Sequence, residues 1–195
     1  MLKKGERGDG MDKLAVLRQY FGFPAFRAGQ QTLIDAVLSG RDALGVMPTG
    51  GGKSLCYELP ALLLPGMTLV VSPLISLMKD QVMALRSAGI PAGCINSSMS
   101  LDELRETYRD ARYGAYKLLY VAPERLLTDG FCSLAQELEI PLVAVDEAHC
   151  ISQWGQDFRP SYLKIVEFLQ RLPRRPAVAA FTATATAQVR ADITV

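Results

Sequence analysis

A chain of 195 residues, 49% of them apolar, is long enough to bury a core of its own. Its 21 basic and 20 acidic residues leave a formal charge of +1, which excludes a disordered charged tail and gives no global field for nucleic acid; such a partner would need a local patch. Cys56, Cys94, Cys132 and Cys150 form no Cys-x-x-Cys pair and no apolar run approaches a membrane span, so thiolate metal sites and membrane insertion are not expected, and a reducing cytoplasmic setting is.

In chain order, the charged and Gly-rich segment 1–11 is expected to be flexible, ahead of one domain over 12–195. A helix over Gly29 to Leu38 leads into the first of six short apolar runs, Ala43 to Met47. The others are Thr68 to Ser72, Ala92 to Asn96, Lys117 to Ala122, Leu142 to Asp146 and Ala177 to Thr182. Flanked by turn residues and nearly free of charge, they read as strands buried on both faces. Between them come helical spacings from Leu55, over Leu74 to Ala88, over Leu101 to Arg112 behind a Ser100/Glu103 capping box, and over Tyr162 to Leu172. Strands alternating with helices predict an α/β domain with a doubly wound, mostly parallel sheet flanked by helices, whose functional loops follow the strand ends.

After the first run stands Met47-Pro48-Thr49-Gly50-Gly51-Gly52-Lys53-Ser54. Three glycines let backbone N–H groups wrap phosphates at a helix N-terminus; Lys53 would neutralise the β and γ phosphates and Ser54 would join a magnesium shell. Met47 occupies the position where the usual phosphate-loop pattern has glycine. The fifth run ends in Asp146-Glu147-Ala148-His149. Asp146 there would hold Mg2+ and Glu147 would orient or deprotonate the attacking water. The predicted catalytic set is thus Lys53, Asp146 and Glu147, with ATP and Mg2+ as cofactors.

These motifs, with Phe23-Pro24-Ala25-Phe26-Arg27-Ala28-Gly29-Gln30, Val71-Ser72-Pro73 through Gln81, Tyr120-Val121-Ala122-Pro123-Glu124-Arg125-Leu126 and Thr182-Ala183-Thr184, resemble the first RecA-like motor domain of RecQ-family DNA helicases from about Tyr20 onward. The resemblance implies adenine recognition by Phe23, Arg27 and Gln30, with Phe23 stacking and Phe26 packing into the core. It places Ser72, Pro73 and Arg125 on a DNA strand's backbone, where contacts are independent of sequence. It makes the stretch Cys150 to Pro160 an aromatic-rich loop that senses single-stranded DNA: Trp154 and Phe158 stacking on bases, Gln153 and Arg159 reporting to His149, Thr182 and Thr184. A buried Trp154 anchoring the next helix fits the same residues. Gln156 departs from the family pattern, which has histidine there.

The resemblance further implies 3′ to 5′ translocation on single-stranded or partly duplex DNA, a role in DNA repair and recombination, and a bacterial cytoplasm or nucleoid. It also implies a second RecA-like domain as partner, so this chain alone is expected to bind nucleotide without unwinding DNA. A switch that holds ATP and DNA without useful hydrolysis fits the same motifs, and so does an RNA substrate; Glu147 separates enzyme from switch.

Overall fold

The computed structural model describes residues 12–154 and 157–194; the segment 1–11 and Gln156 lie outside them. All six apolar runs are strands: β1 (Ala43–Val46), β2 (Thr68–Val71), β3 (Ala92–Ile95), β4 (Leu118–Val121), β5 (Leu142–Val145) and β6 (Ala177–Thr182). Five end one residue earlier than their apolar run, because the backbone leaves the ladder there to open a loop. The sheet order is β1-β6-β5-β2-β4-β3 and every pair is parallel, so the expected "mostly parallel" sheet is wholly so.

Both faces are covered, as continuous apolar strands require. Leu69, Val71, Val121, Val143 and Val145 point to one side, against α5 (Leu101–Arg112), α6 (Asp129–Glu137) and α7 (Lys164–Arg171). Val70, Tyr120, Ala144 and Phe181 point to the other, against α2 (Gln30–Leu38), α3 (Leu55–Leu63) and α4 (Ile75–Ser87). A third, smaller cluster joins α1 (Lys13–Phe21) to α2 and α3 through Val16, Leu17, Ile34 and Leu59.

The capping box is formed in full: Ser100 Oγ accepts from the Glu103 N–H and Glu103 accepts from the Ser100 N–H. The helix expected over Tyr162 to Leu172 begins as a 3₁₀ turn, Pro160–Leu163, and becomes α-helical at Lys164. Helices α1, α6 and α8 (Ala187–Ile193) add to the predicted set. Their signals are local: Asp12 caps α1 and left-handed Gly22 ends it, while Thr186 caps α8.

The glycine that matters most for the site is Gly45. A Cβ there would lie 2.7 Å from the Phe181 ring and 3.1 Å from Leu33, so β1 and α2 can lie this close to β6 only over a bare Cα. Gly45→Ala is expected to cost about 1–3 kcal/mol in urea unfolding; an unchanged midpoint would show that the ring yields freely.

Candidate nucleotide site and nucleic-acid interface

The strand order decides which loops meet. β6 lies between β1 and β5, with Val46 opposite Thr182 and Val145 opposite Ala180. The loop after β1 and the acidic pair after β5 therefore converge across the end of β6.

In the phosphate loop each glycine has a separate reason. Gly50 and Gly52 have φ of 75° and 79°, in the left-handed region. A Cβ on Gly51 would sit 2.8 Å from the Pro48 carbonyl, which accepts the Gly51 N–H at 2.9 Å, and one on Gly52 would sit 2.5 Å from Gln30 Nε2. Pro48 and Thr49 are exposed at the loop's turn. Met47, in the place of the usual glycine, donates its N–H to the Thr182 carbonyl at 3.0 Å and so continues the sheet by one rung.

The segment before α2 clasps this loop. Arg27 Nη1 donates to the Gly50 carbonyl at 2.6 Å, and Gln30 Nε2 donates to the Gly52 carbonyl at 3.1 Å. Gln30 Oε1 accepts the Arg27 N–H at 2.8 Å, so both ends of this buried carboxamide, 2% exposed, are occupied within the protein. Phe23 is 47% exposed at the rim, free to stack, while Phe26 packs into the cluster of α1, α2 and α3. A cleft of about 390 Å³ lies between Phe23, Arg27, Gln30, Gly50, Lys53 and Gln81. Its volume suits a small-molecule site. Gln81, from α4, belongs to a motif of the sequence but had no assigned role there.

Across from Lys53 stands the acidic pair. The Asp146 N–H donates to the Val71 carbonyl at 2.9 Å, and the Glu147 N–H donates to Asp146 Oδ1 at 3.0 Å. Glu147 has φ 48° and ψ 45°, the one non-glycine in the left-handed region among the described residues. Such a conformation costs of order 1 kcal/mol and persists where surrounding contacts hold it. Here they do: Glu147 Oε1 is 3.7 Å from Lys53 Nζ, and its Oε2 is 3.2 Å from His149 Nδ1. His149 Nδ1 also lies 3.0 Å from Thr182 Oγ1. Thr182 spends its own proton on the Thr184 carbonyl at 2.8 Å, so Nδ1 must be the donor to Thr182. Thr184 thus joins through its backbone. Behind the pair, the buried Tyr162 hydroxyl donates to the Asp146 carbonyl at 2.8 Å, a support that spacing did not reveal.

Burial pushes the Asp146 carboxyl from its ordinary 3.8 up to about 6, with the neighbouring Glu147 charge adding to the effect. Burial likewise lifts Glu58, in α3 behind the phosphate loop, to about 7. The four cysteines are free thiols, and burial raises Cys56 to about 12 and Cys150 to about 11. Among the described residues no three His, Cys, Asp or Glu side chains cluster as a metal cage.

The residues assigned to DNA are distributed over the ends of β2, β4 and the loop after β5. Arg125 Nη2 donates to the Asn96 carbonyl at 3.2 Å, tying the loops after β4 and β3 together. Ser72 is 1% exposed and its hydroxyl is buried without a partner, so in this conformation its side chain does not face a backbone phosphate. Pro73 instead receives a bond: Arg159 Nη1 donates to its carbonyl at 3.0 Å, crossing from the aromatic loop to the end of β2. Trp154 is 77% exposed, which rules out its anchoring the next helix; the loop is held instead by Ser152 Oγ, which donates to Asp192 at 2.6 Å and accepts the Trp154 N–H at 3.1 Å. Gln153 is exposed and Phe158 half-buried. Arg159 pairs with Asp157 rather than with His149 or Thr184.

Residues 27–193 match the sequence pattern of the DEAD/DEAH box helicases. The chain belongs to the DEAD/DEAH box helicase family. Within it, the sequence is 52% identical over 92% of this chain to the ATP-dependent DNA helicase RecQ of Bacillus subtilis, covering 30% of that protein. It is 49% identical over 92% to RecQ of Haemophilus influenzae, covering 29%. It is thus a RecQ-type motor domain that spans about a third of the length of the curated relatives it matches. The backbone superposes on the DUF1998 helicase MrfA bound to DNA and AMPPNP with a TM-score of 0.75, over 98% of this chain and 29% of that one at 17% identity. On a hypothetical ATP-dependent RNA helicase from Sulfolobus tokodaii the score is 0.69, over 93% and 53% at 22% identity. The fold is the RecA-like helicase domain, and membership of this family implies that the cleft binds nucleotide. No helix among the described residues is long and apolar enough to cross a membrane.

The Asp146 shift makes a signed prediction. Folding raises this carboxyl's proton affinity, so its contribution to stability is full below pH 3.8 and is lost as pH rises through about 6. Asp146→Asn should match the parent at pH 4 and exceed it by about 2 kcal/mol at pH 8 in urea unfolding. A gap of equal size at both pH values would contradict the assignment of the shift to Asp146.

Proposed function

We propose that the chain is the ATP-binding half of an ATP-dependent DNA helicase that couples hydrolysis to 3′ to 5′ translocation on single-stranded DNA, in DNA repair and recombination in the bacterial cytoplasm. ATP would sit with its base near Phe23, Arg27 and Gln30 and its phosphates on the loop Pro48 to Ser54. Mg2+ fits the donors present: a serine hydroxyl at Ser54 and a buried carboxyl at Asp146, too few for a protein cage, so phosphates and water would complete the shell. The cation would supply charge neutralisation at the γ phosphate. Asp146, held above its ordinary pKa, is the group whose ionised form a nearby cation favours.

The observation that carries the reading is the bridge Lys53–Glu147–His149–Thr182. A glutamate kept in a strained backbone conformation, with one oxygen toward the phosphate-loop lysine and the other toward a histidine donor, is suited to orient water and to feel the position of β6. Thr182 and the loop carrying Trp154 would pass nucleotide state to DNA, and Arg159 would transmit it to Pro73. A second RecA-like domain would supply the arginines that stabilise the transition state, so this chain by itself should bind ATP and hydrolyse it slowly.

In a protein carrying both motor domains, Glu147→Gln is expected to lower DNA-stimulated turnover by about 100-fold or more while ATP affinity stays within about threefold. Retained turnover would point to a switch rather than a hydrolase. Trp154→Ala should weaken single-stranded DNA binding by about 1–3 kcal/mol and remove most DNA stimulation, leaving basal ATPase unchanged. Unaltered DNA affinity in that variant would place the strand elsewhere.

A further inference from the structure

The buried polar side chains behind the phosphate loop have no role in that reading. Helix α3 carries Tyr57 and Glu58 straight after the loop, both buried in a layer that includes Val70, Met78, Ala144 and Phe181. The groups acting on the Glu58 carboxyl are Tyr120 and Asp146, neither of them a cation. A carboxyl so placed weakens the fold and calls for a reason beyond stability.

Three hydroxyls supply one. Tyr120, on β4, donates to Glu58 Oε1 at 3.4 Å. The Tyr57 hydroxyl lies within hydrogen-bonding reach of both Tyr120 and Ser54. The Tyr57 ring is held against Phe181, with centroids 5.5 Å apart. Ser54 stands at the N-cap of α3 but makes no capping bond with it, which leaves its hydroxyl available to Tyr57.

An ionised carboxylate only accepts, so Glu58 at the end of this chain sets the direction of every bond in it. The Tyr120 proton goes to Glu58, the Tyr57 proton to the Tyr120 oxygen, and the Ser54 proton to the Tyr57 oxygen. With its proton turned inward, Ser54 Oγ presents its lone pairs to the concave side of the phosphate loop. A hydroxyl binds a hard cation through those lone pairs alone.

We infer that Tyr57, Tyr120 and Glu58 are positioning residues, a buried hydroxyl relay that orients Ser54 Oγ toward the divalent cation carried by the nucleotide. The inference deepens the proposed function and rests on its assignment of Ser54 as a cation ligand. The relay also joins the phosphate loop to β4, the strand that leads into Pro123 and Arg125.

The test is the affinity of this chain for a fluorescent ATP analogue, measured with Mg2+ and with EDTA; the ratio of the two is the Mg2+ increment. Ser54→Ala defines its floor. Tyr57→Phe and Glu58→Leu should reduce the increment by about tenfold, toward that floor, with affinity in EDTA held within about twofold. Glu58→Gln keeps an acceptor oxygen and should retain most of the increment, a rescue that a packing role alone would not produce. Thermal unfolding is recorded for each variant, and Tyr120→Phe reads the same relay from the sheet side if Tyr57→Phe fails to fold. An increment untouched in Tyr57→Phe and Tyr120→Phe but lost in Ser54→Ala overturns the relay. An increment untouched in Ser54→Ala overturns the cation assignment and the relay with it.

Discussion

The pairing of β6 between β1 and β5 governs the nucleotide site. Parallel strands place their carboxyl ends at one edge of the sheet, so this order sets the phosphate loop, Thr182 and the acidic pair side by side in that sequence. Met47 extends the β1–β6 ladder by one bond, and Asp146 extends the β5–β2 ladder in the same way. The loops are therefore aimed by the sheet itself. Gly45 is the steric condition for this arrangement, because the Phe181 ring fills the space that any side chain there would need.

On this frame the site concentrates charge at some cost to the fold. Asp146 and Glu58 are carboxyls lifted by burial, and Glu147 adopts a backbone conformation that only its contacts with Lys53 and His149 repay. An arrangement that is unfavourable when empty becomes favourable when a cation and phosphates enter, and binding then releases what folding stored. The clasp of Arg27 and Gln30 on the Gly50 and Gly52 carbonyls serves preorganisation, since it fixes a loop whose glycines would otherwise be free.

The strand order also divides the edge into two territories. β1, β6 and β5 carry the nucleotide side; β2, β4 and β3 carry the residues proposed to meet DNA. Contacts cross between them at few points. Arg159 reaches Pro73 from the loop that follows the acidic pair, and Ser152 ties the same loop to α8 through Asp192. A motor that reports nucleotide state to a strand of DNA needs such crossings to be few and directional, and Trp154, exposed on that loop, is placed where the report would end.

The sequence by itself determined the strands, the parallel α/β class, the phosphate loop and the acidic pair, because each is written in local terms: apolar runs with no charge, glycines where φ must be positive, a lysine and serine before a helix, a capping box at Ser100. It did not reveal that Gln30 turns both ends of its amide inward, that Ser72 is buried, that Tyr162 braces Asp146, or that Arg159 bonds Pro73 rather than His149. Those depend on which strand lies beside which, a property of pairing across residues far apart in the chain. Only the tertiary structure decided them, since hydrogen-bond partners in the interior are allotted by proximity after the sheet has formed, and no spacing along one segment records that allotment.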